Sequence, residues 1–451
     1  MAAFKRSAAE LALALHRTTS WELSRLVGVD TTVEHFAAAF RLPCLAGVDD
    51  KLLYASVCSA ALEALQDPEL QQQPPLAPGE SRSFTARQCC GILANAMLGN
   101  VHDLISKRRR GGTLKPRCPG GLSFVQHMRF SDGVHLHKTA ALLVYFEARR
   151  QAAGTDDARA VTFEYIVCPG DGWFEALLAE RGDERLAGGA AGGRECTLHP
   201  EVMEAPAADA FVNFANKQFG YGCFIPSCTQ EEILQMCCPE FNVGMLLLGT
   251  MRDDEVVNVR GCRRYSRYTG YLDTYECVGA WPADTVTTIL TLDACTSRHF
   301  SNRMLHRDVR KACASFARLA AANDRSDAAA PAADGAARPA TAPVVSTGRW
   351  GCGVFGGVPA HKFLQQMVAA SLAGVTLRFS TFGSADGCDT LLETVQHTGM
   401  SAREAWELLR ACDSKAAFEQ QLAALWARAP PSSAPARGGA GAAAASGGLG
   451  V

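Results

Sequence analysis

The sequence predicts an α/β fold behind a mainly helical N-terminal region, and three observations carry that expectation. Strand-like and helical runs alternate after about residue 160, as α/β layering requires. Before it, apolar residues recur at helical spacing. Apolar residues make up 48% of the 451, enough for a sizeable core and for two or three domains.

In chain order, helical spacing is met over Ala8 to Leu15, Leu52 to Leu65, Ala86 to Leu98 and Lys138 to Arg149. The first of these belongs to an apolar run that Glu10 and His16 interrupt and that no small-residue cleavage site follows, which fits an amphipathic helix rather than a signal peptide. Thr85 is placed to cap the helix that follows it. The basic run Lys107-Arg108-Arg109-Arg110 fits a solvated loop, a nuclear localisation signal or a polyanion contact. Val161 to Val167 alternates and is β-branched, as in a strand. Strand-like or helical runs follow at Phe211 to Ala215, from Gln230, at Val243 to Leu248, Thr287 to Leu292, Arg307 to Ala321, Phe363 to Leu372 and Val375 to Phe382. The stretch Asn323 to Pro343 is too rich in Ala, Pro and Asp to bury a core and reads as a flexible insertion; the tail from Pro430 reads as disordered.

A formal charge of -2, from 44 basic and 46 acidic residues, argues against a bulk nucleic-acid coat protein, so no direct DNA binding is expected. Any anionic ligand has to be met locally. The 18 cysteines are irregularly spaced and form no paired zinc motif, which reads as reduced, buried thiols. No apolar run reaches the ~20 residues of a membrane span, so cytosol or nucleus is the expected location, with no membrane partner.

The stretch Asn213 to Glu232 holds the densest chemistry. An extended segment leads to glycines Gly220 and Gly222, then to a loop and to Glu231-Glu232 at a helix start. Glycines and a helix N-terminus together suit a phosphate, and paired carboxylates suit glycoside cleavage. Adjacent helix positions point in different directions, so one glutamate would be acid/base and the other would position sugar hydroxyls. Thr229-Gln230-Glu231-Glu232 equally fits a capping box, in which Glu232 merely reaches back to the N-cap amide. Two further stretches stand out. Trp350 to Gly357 is a glycine-dense run that fits either a phosphate-wrapping loop or a tight packed turn. Tyr265 to Tyr271 spaces tyrosines that either face a flat ring or pack in the core.

Together these stretches resemble poly(ADP-ribose) glycohydrolase. The resemblance is carried by a glycine triplet, seven residues and Gln230-Glu231-Glu232, with Phe214-Ala215-Asn216 ahead of it. It continues in Y-S-x-Y-T-G-Y at Tyr265 to Tyr271, W-G-C-G-x-F-G-G at Trp350 to Gly357, T-F-G at Thr381 to Gly383 and L-A-N-A at Leu93 to Ala96. It implies a macrodomain-like mixed sheet flanked by helices and an N-terminal mainly helical accessory domain. The divisions are 1–195 for that accessory region, 196–425 for the core with its insertion at 323–343, and 426–451 for the tail. It also implies hydrolysis of ribose–ribose O-glycosidic bonds of poly(ADP-ribose), on free polymer or ADP-ribosylated proteins, by a monomer that needs no metal or redox cofactor. By position, Glu232 is similar to the family's acid/base and Glu231 to its helper. Asn216 would contact the terminal ribose, and Tyr271, Phe355 and Phe382 would pack around ADP-ribose. Gln230, Asn213 and the glycine loops at Gly220, Gly222, Gly353 and Gly356 would complete the binding site, and Glu204 matches an adenine contact across a gap.

The sequence departs from the family at several of these places. Tyr221 stands for the middle glycine of the triplet, Asn213 for an acid, Arg349 for an asparagine, Val358 for an acid and Ser384 for an aspartate. These changes leave a second reading open, a catalytically silent macrodomain that binds ADP-ribose or its polymer.

Overall fold

The computed structural model describes residues 4–18, 20–72, 74–101, 121–130, 132–152, 154–187, 195–220, 227–329 and 342–428. Tyr221, Gly222 and the basic run at 107–110 lie outside them, as do most of the insertion and the tail from 429.

Ten strands are described: β1 (Ser81–Thr85), β2 (Ala160–Val167), β3 (Cys196–His199), β4 (Ala210–Ala215), β5 (Glu255–Arg263), β6 (Ser266–Thr269), β7 (Glu276–Ala280), β8 (Val286–Asp293), β9 (Val344–Thr347) and β10 (Thr376–Ser380). Eight form one sheet in the order β1-β2-β5-β8-β4-β9-β10-β3, while β6 and β7 pair as a hairpin. From β8 through β4, β9 and β10 to β3 the neighbours are parallel, and from β1 through β2 and β5 to β8 they are antiparallel. The sheet is therefore mixed, as the resemblance implies.

Alternation along the central strands sends side chains to two cores. Phe211, Val257, Val259 and Ile289 face the N-terminal helices and the helix Gln230–Cys237. Ala210, Val212, Leu290 and Leu292 face the long helix Asn302–Ala329 and the helices Pro359–Ala373 and Ala402–Ala411. A strand covered on both faces reads as a continuous apolar run, which describes β4.

Three features differ from the sequence reading. The sheet takes β1 and β2 from residues 1–195, so the proposed division at 195 runs through one sheet. Of the run Val243 to Leu248, which the alternation would place as a strand after the helix from Gln230, residues up to Leu246 lie in a 3-10 helix, Pro239–Leu246. A short apolar run flanked by proline does not reveal its period, and Gly244 fits there only because it lacks a Cβ, which would meet the Phe219 ring at 2.7 Å. The helix expected to end at Ala321 continues to Ala329, into the insertion, and the helix Lys415–Arg428 passes the tail division at 425. Among the described residues no helix is long and apolar enough to cross a membrane.

Candidate active site

A cavity of about 760 Å³ opens where β4, β8, β9 and β10 end. Carboxyl ends of parallel strands are where α/β sheets place ligands, because the connections there splay apart and leave a crevice. The lining comes from the ends of these strands and the segments after them: Phe214 to Asn216, Thr229 to Ile233, Gly348 to Phe355, and Ser380, Phe382 and Asp386. Glu204, Tyr268 and Tyr271 close the remaining side.

Glu231 and Glu232 begin the helix Gln230–Cys237 and are both buried. The capping box expected from the sequence is present. The Thr229 amide donates to Glu232 Oε2 at 2.7 Å, and the Thr229 hydroxyl donates to the same oxygen. Cap and cavity position coexist, since Glu232 also lines the cavity. Glu231 turns toward β4, where the backbone N–H of Asn216 donates to its Oε2 at 3.1 Å and the Asn213 amide approaches its Oε1 at 3.5 Å. Burial pushes the Glu231 carboxyl up to about 8, and the neighbouring Glu232 adds to the effect; hydrogen bonds from Asn216, Asn213 and Gly220 oppose it.

Gln230 fixes the helix to the strand. Its Oε1 accepts from the Phe214 amide at 2.8 Å, and its Nε2 donates to Glu204 and to the Val212 carbonyl, each at 3.2 Å. Glu204 also accepts from the Tyr268 hydroxyl at 2.9 Å, and burial raises its pKa. Tyr271 packs against Phe382 with ring centroids 5.1 Å apart. Reciprocal backbone bonds between Cys228 and Leu272, at 2.8 and 3.1 Å, lock the tyrosine segment to the loop ahead of the carboxylates.

The glycine loop Trp350 to Gly357 folds on itself through Gly357 N–H to the Gly351 carbonyl at 2.9 Å and Gly356 N–H to the Gly353 carbonyl at 3.0 Å. Gly351 adopts φ 75°, and an added Cβ would lie 2.6 Å from Ala294. Trp350 anchors the floor by donating to the Leu292 carbonyl at 2.9 Å, and Lys362, paired with Asp308, sits 5.0 Å from its ring centroid. His299 Nε2 holds the Phe355 carbonyl at 2.7 Å. Among the described residues, the N–H groups of Gly353, Val354 and Phe355 meet no protein acceptor, which leaves consecutive donors suited to an anion.

Of the residues the sequence singled out, Glu204, Asn216, Gln230, Glu231, Glu232, Tyr271, Arg349, Gly353, Phe355 and Phe382 line one cavity. Three lie off the lining. Asn213 sits behind Glu231, Gly220 packs on Met245 at φ 72°, and Gly356 turns the glycine loop at φ 71°. Tyr221 and Gly222 lie outside the described residues. The sequence reading missed Tyr268 as a lining residue, although it belongs to the tyrosine stretch, and Asp386, which carried no sequence signal.

The site thus sets a carboxylate pair and a glycine loop at the carboxyl edge of the parallel half of a mixed α/β sheet. Residues 197–389 match the family described as Poly (ADP-ribose) glycohydrolase (PARG), Macro domain fold. Poly(ADP-ribose) glycohydrolase 2 of Caenorhabditis elegans is 31% identical over 223 residues, covering 43% of this chain and 42% of that protein. Poly(ADP-ribose) glycohydrolase 1 of Arabidopsis thaliana is 29% identical over 230 residues, covering 38% of this chain and 42% of that protein. The chain thus spans less than half the length of these curated relatives. Among solved structures, the poly(ADP-ribose) glycohydrolase of Thermomonospora curvata is 15% identical, with a TM-score of 0.31, covering 57% of this chain and 85% of that one. That of Deinococcus radiodurans in complex with ADP-ribose is 17% identical, with a TM-score of 0.31, covering 48% and 86%.

Proposed function

We propose that the protein is a glycosidase that hydrolyses the ribose–ribose O-glycosidic bonds of poly(ADP-ribose) and releases ADP-ribose. The observation that carries this reading is the pair of buried carboxyl groups, Glu231 and Glu232, lining one cavity. Glycoside cleavage needs a proton for the leaving oxygen and a carboxylate to activate water.

In this reading Glu232 gives a proton to the leaving ribose oxygen as positive charge builds at the anomeric carbon. The resulting carboxylate then takes a proton from the attacking water. The Thr229 cap holds the side chain at the cavity wall until substrate arrives. Glu231, fixed by Asn216 and Asn213 and neutral, positions a ribose hydroxyl without adding a second negative charge beside the substrate's phosphates. The free N–H groups of the glycine loop receive the diphosphate, Tyr271, Phe355 and Phe382 surround the nucleoside and sugars, and Glu204 sits where a buried carboxyl meets a polar base edge.

Labelled poly(ADP-ribose) incubated with wild type and with Glu232→Gln tests this. Wild type is expected to release ADP-ribose at least ~100-fold faster, the usual contribution of one acid/base group. Equal rates, with ADP-ribose still bound by both proteins, would leave the silent binder as the correct reading.

A further inference from the structure

Arg349 is the one cationic side chain among the described residues that line the cavity; the others with charge are Glu204, Glu231, Glu232 and Asp386. It stands four residues ahead of Gly353, at the start of the loop in which the N–H groups of Gly353, Val354 and Phe355 meet no acceptor among the described residues. Its side chain is 26% exposed and pairs with the Asp386 carboxylate, which is 47% exposed. The Arg349 Nε is buried and has no hydrogen-bond partner among the described residues. A buried donor without an acceptor carries a desolvation cost that a ligand oxygen relieves.

The other half of the pair is held in an unfavourable shape. Asp386 adopts φ 42° and Phe382 φ 51°, left-handed backbone that non-glycine residues adopt at a cost. Gly383 and Gly387 flank them at φ 79° and 81°. The ion pair therefore ties the glycine loop to a strained segment across the cavity rim. A half-exposed pair of this kind contributes little stability, whereas a guanidinium and a phosphate make a fork of charge-assisted hydrogen bonds.

We propose that Arg349 recognises a phosphate of the ligand's diphosphate and that Asp386 is its resting counter-ion, so an entering phosphate displaces the carboxylate and parts the two loops. This rests on the reading of the cavity as an ADP-ribose site. The inference gives Arg349 a specificity role that an asparagine in its place would not supply, because asparagine has no charge and a shorter reach.

Calorimetric titration of the full chain with ADP-ribose and, separately, with adenosine tests the proposal on wild type, Arg349→Asn and Asp386→Asn. Arg349→Asn is expected to bind ADP-ribose roughly tenfold more weakly, about 1.4 kcal/mol. Asp386→Asn is expected to bind it several-fold more tightly, because the guanidinium is released. Adenosine, which has no phosphate, should bind all three alike. The opposite signs matter, since a merely structural tie would weaken both ligands in both variants. That parallel loss, or an unchanged Arg349→Asn, overturns the proposal while leaving the glycohydrolase reading intact. A wild type that binds no ADP-ribose removes both.

Discussion

The Glu231 carboxyl keeps its proton because burial and a second carboxylate outweigh the three hydrogen bonds that favour its ionised form. The consequence for pH has a definite sign. Its pKa is raised from 4.5 to about 8, so the stability associated with the neutral group is fully present below 4.5 and is lost as pH rises through 8. Glu231→Gln, a neutral mimic, should melt progressively higher than wild type as the pH is taken from 5 to 9, read by thermal denaturation at each pH. Wild-type hydrolysis should also fall as the pH passes about 8, when a second negative charge enters the cavity, and the variant's falling limb should vanish. A pH-independent melting difference would show that Glu231 is ionised throughout. At this scale much of the site was legible, since Gln230, Glu231 and Glu232 sit in one motif. Arg349 and Asp386 were not legible as a pair. They are separated by the helix Pro359–Ala373 and β10, and nothing in their neighbours announces that the two loops meet at one rim.

Among the elements, the helix Gly133–Gln151 has a role that its sequence hid. Lys138, fully buried, donates from its Nζ to the Ser227 carbonyl at 2.8 Å, just ahead of the cap of the glutamate helix. The periodicity of Lys138 to Arg149 revealed the helix, but periodicity reports which face is covered and not what its buried polar groups hold. Lys138→Met should leave that carbonyl without its donor and lower stability by about 1–3 kcal/mol. It should also reduce turnover more than ADP-ribose affinity, as the loop bearing Thr229 loosens; unfolding by denaturant and single-turnover hydrolysis would show this. Turnover equal to wild type would confine Lys138 to packing. The misread elements have physical causes of the same kind. In β5, Asn258 and Arg260 interrupt the β-branched run, yet Asn258 is buried because its amide donates to the Ser315 carbonyl at 3.0 Å and its Oδ1 accepts from the Ser315 hydroxyl at 2.6 Å. Tertiary partners that satisfy a buried polar group make a strand invisible to a hydropathy pattern.

For the molecule as a whole, α/β layering was legible from alternation, but the sheet order was not, because strand order depends on which edges meet across long stretches of chain. The antiparallel side carries the largest consequence. β2 pairs along β5 from Thr162 to Val167, and β1 covers β2 in turn. A chain beginning at residue 196 would expose the hydrogen-bonding edge of β5 together with the apolar face around Phe211, Val257 and Ile289. Such a chain is expected to be insoluble or to associate, as gel filtration would report; a soluble monomer with cooperative unfolding would contradict it. The stretch 197–389 that matches the family model thus leaves out β1 and β2, which complete the sheet it belongs to. A transplant of residues 197–389 into another protein would therefore have to carry β1 and β2 with it or find two strands in its host to cover β5.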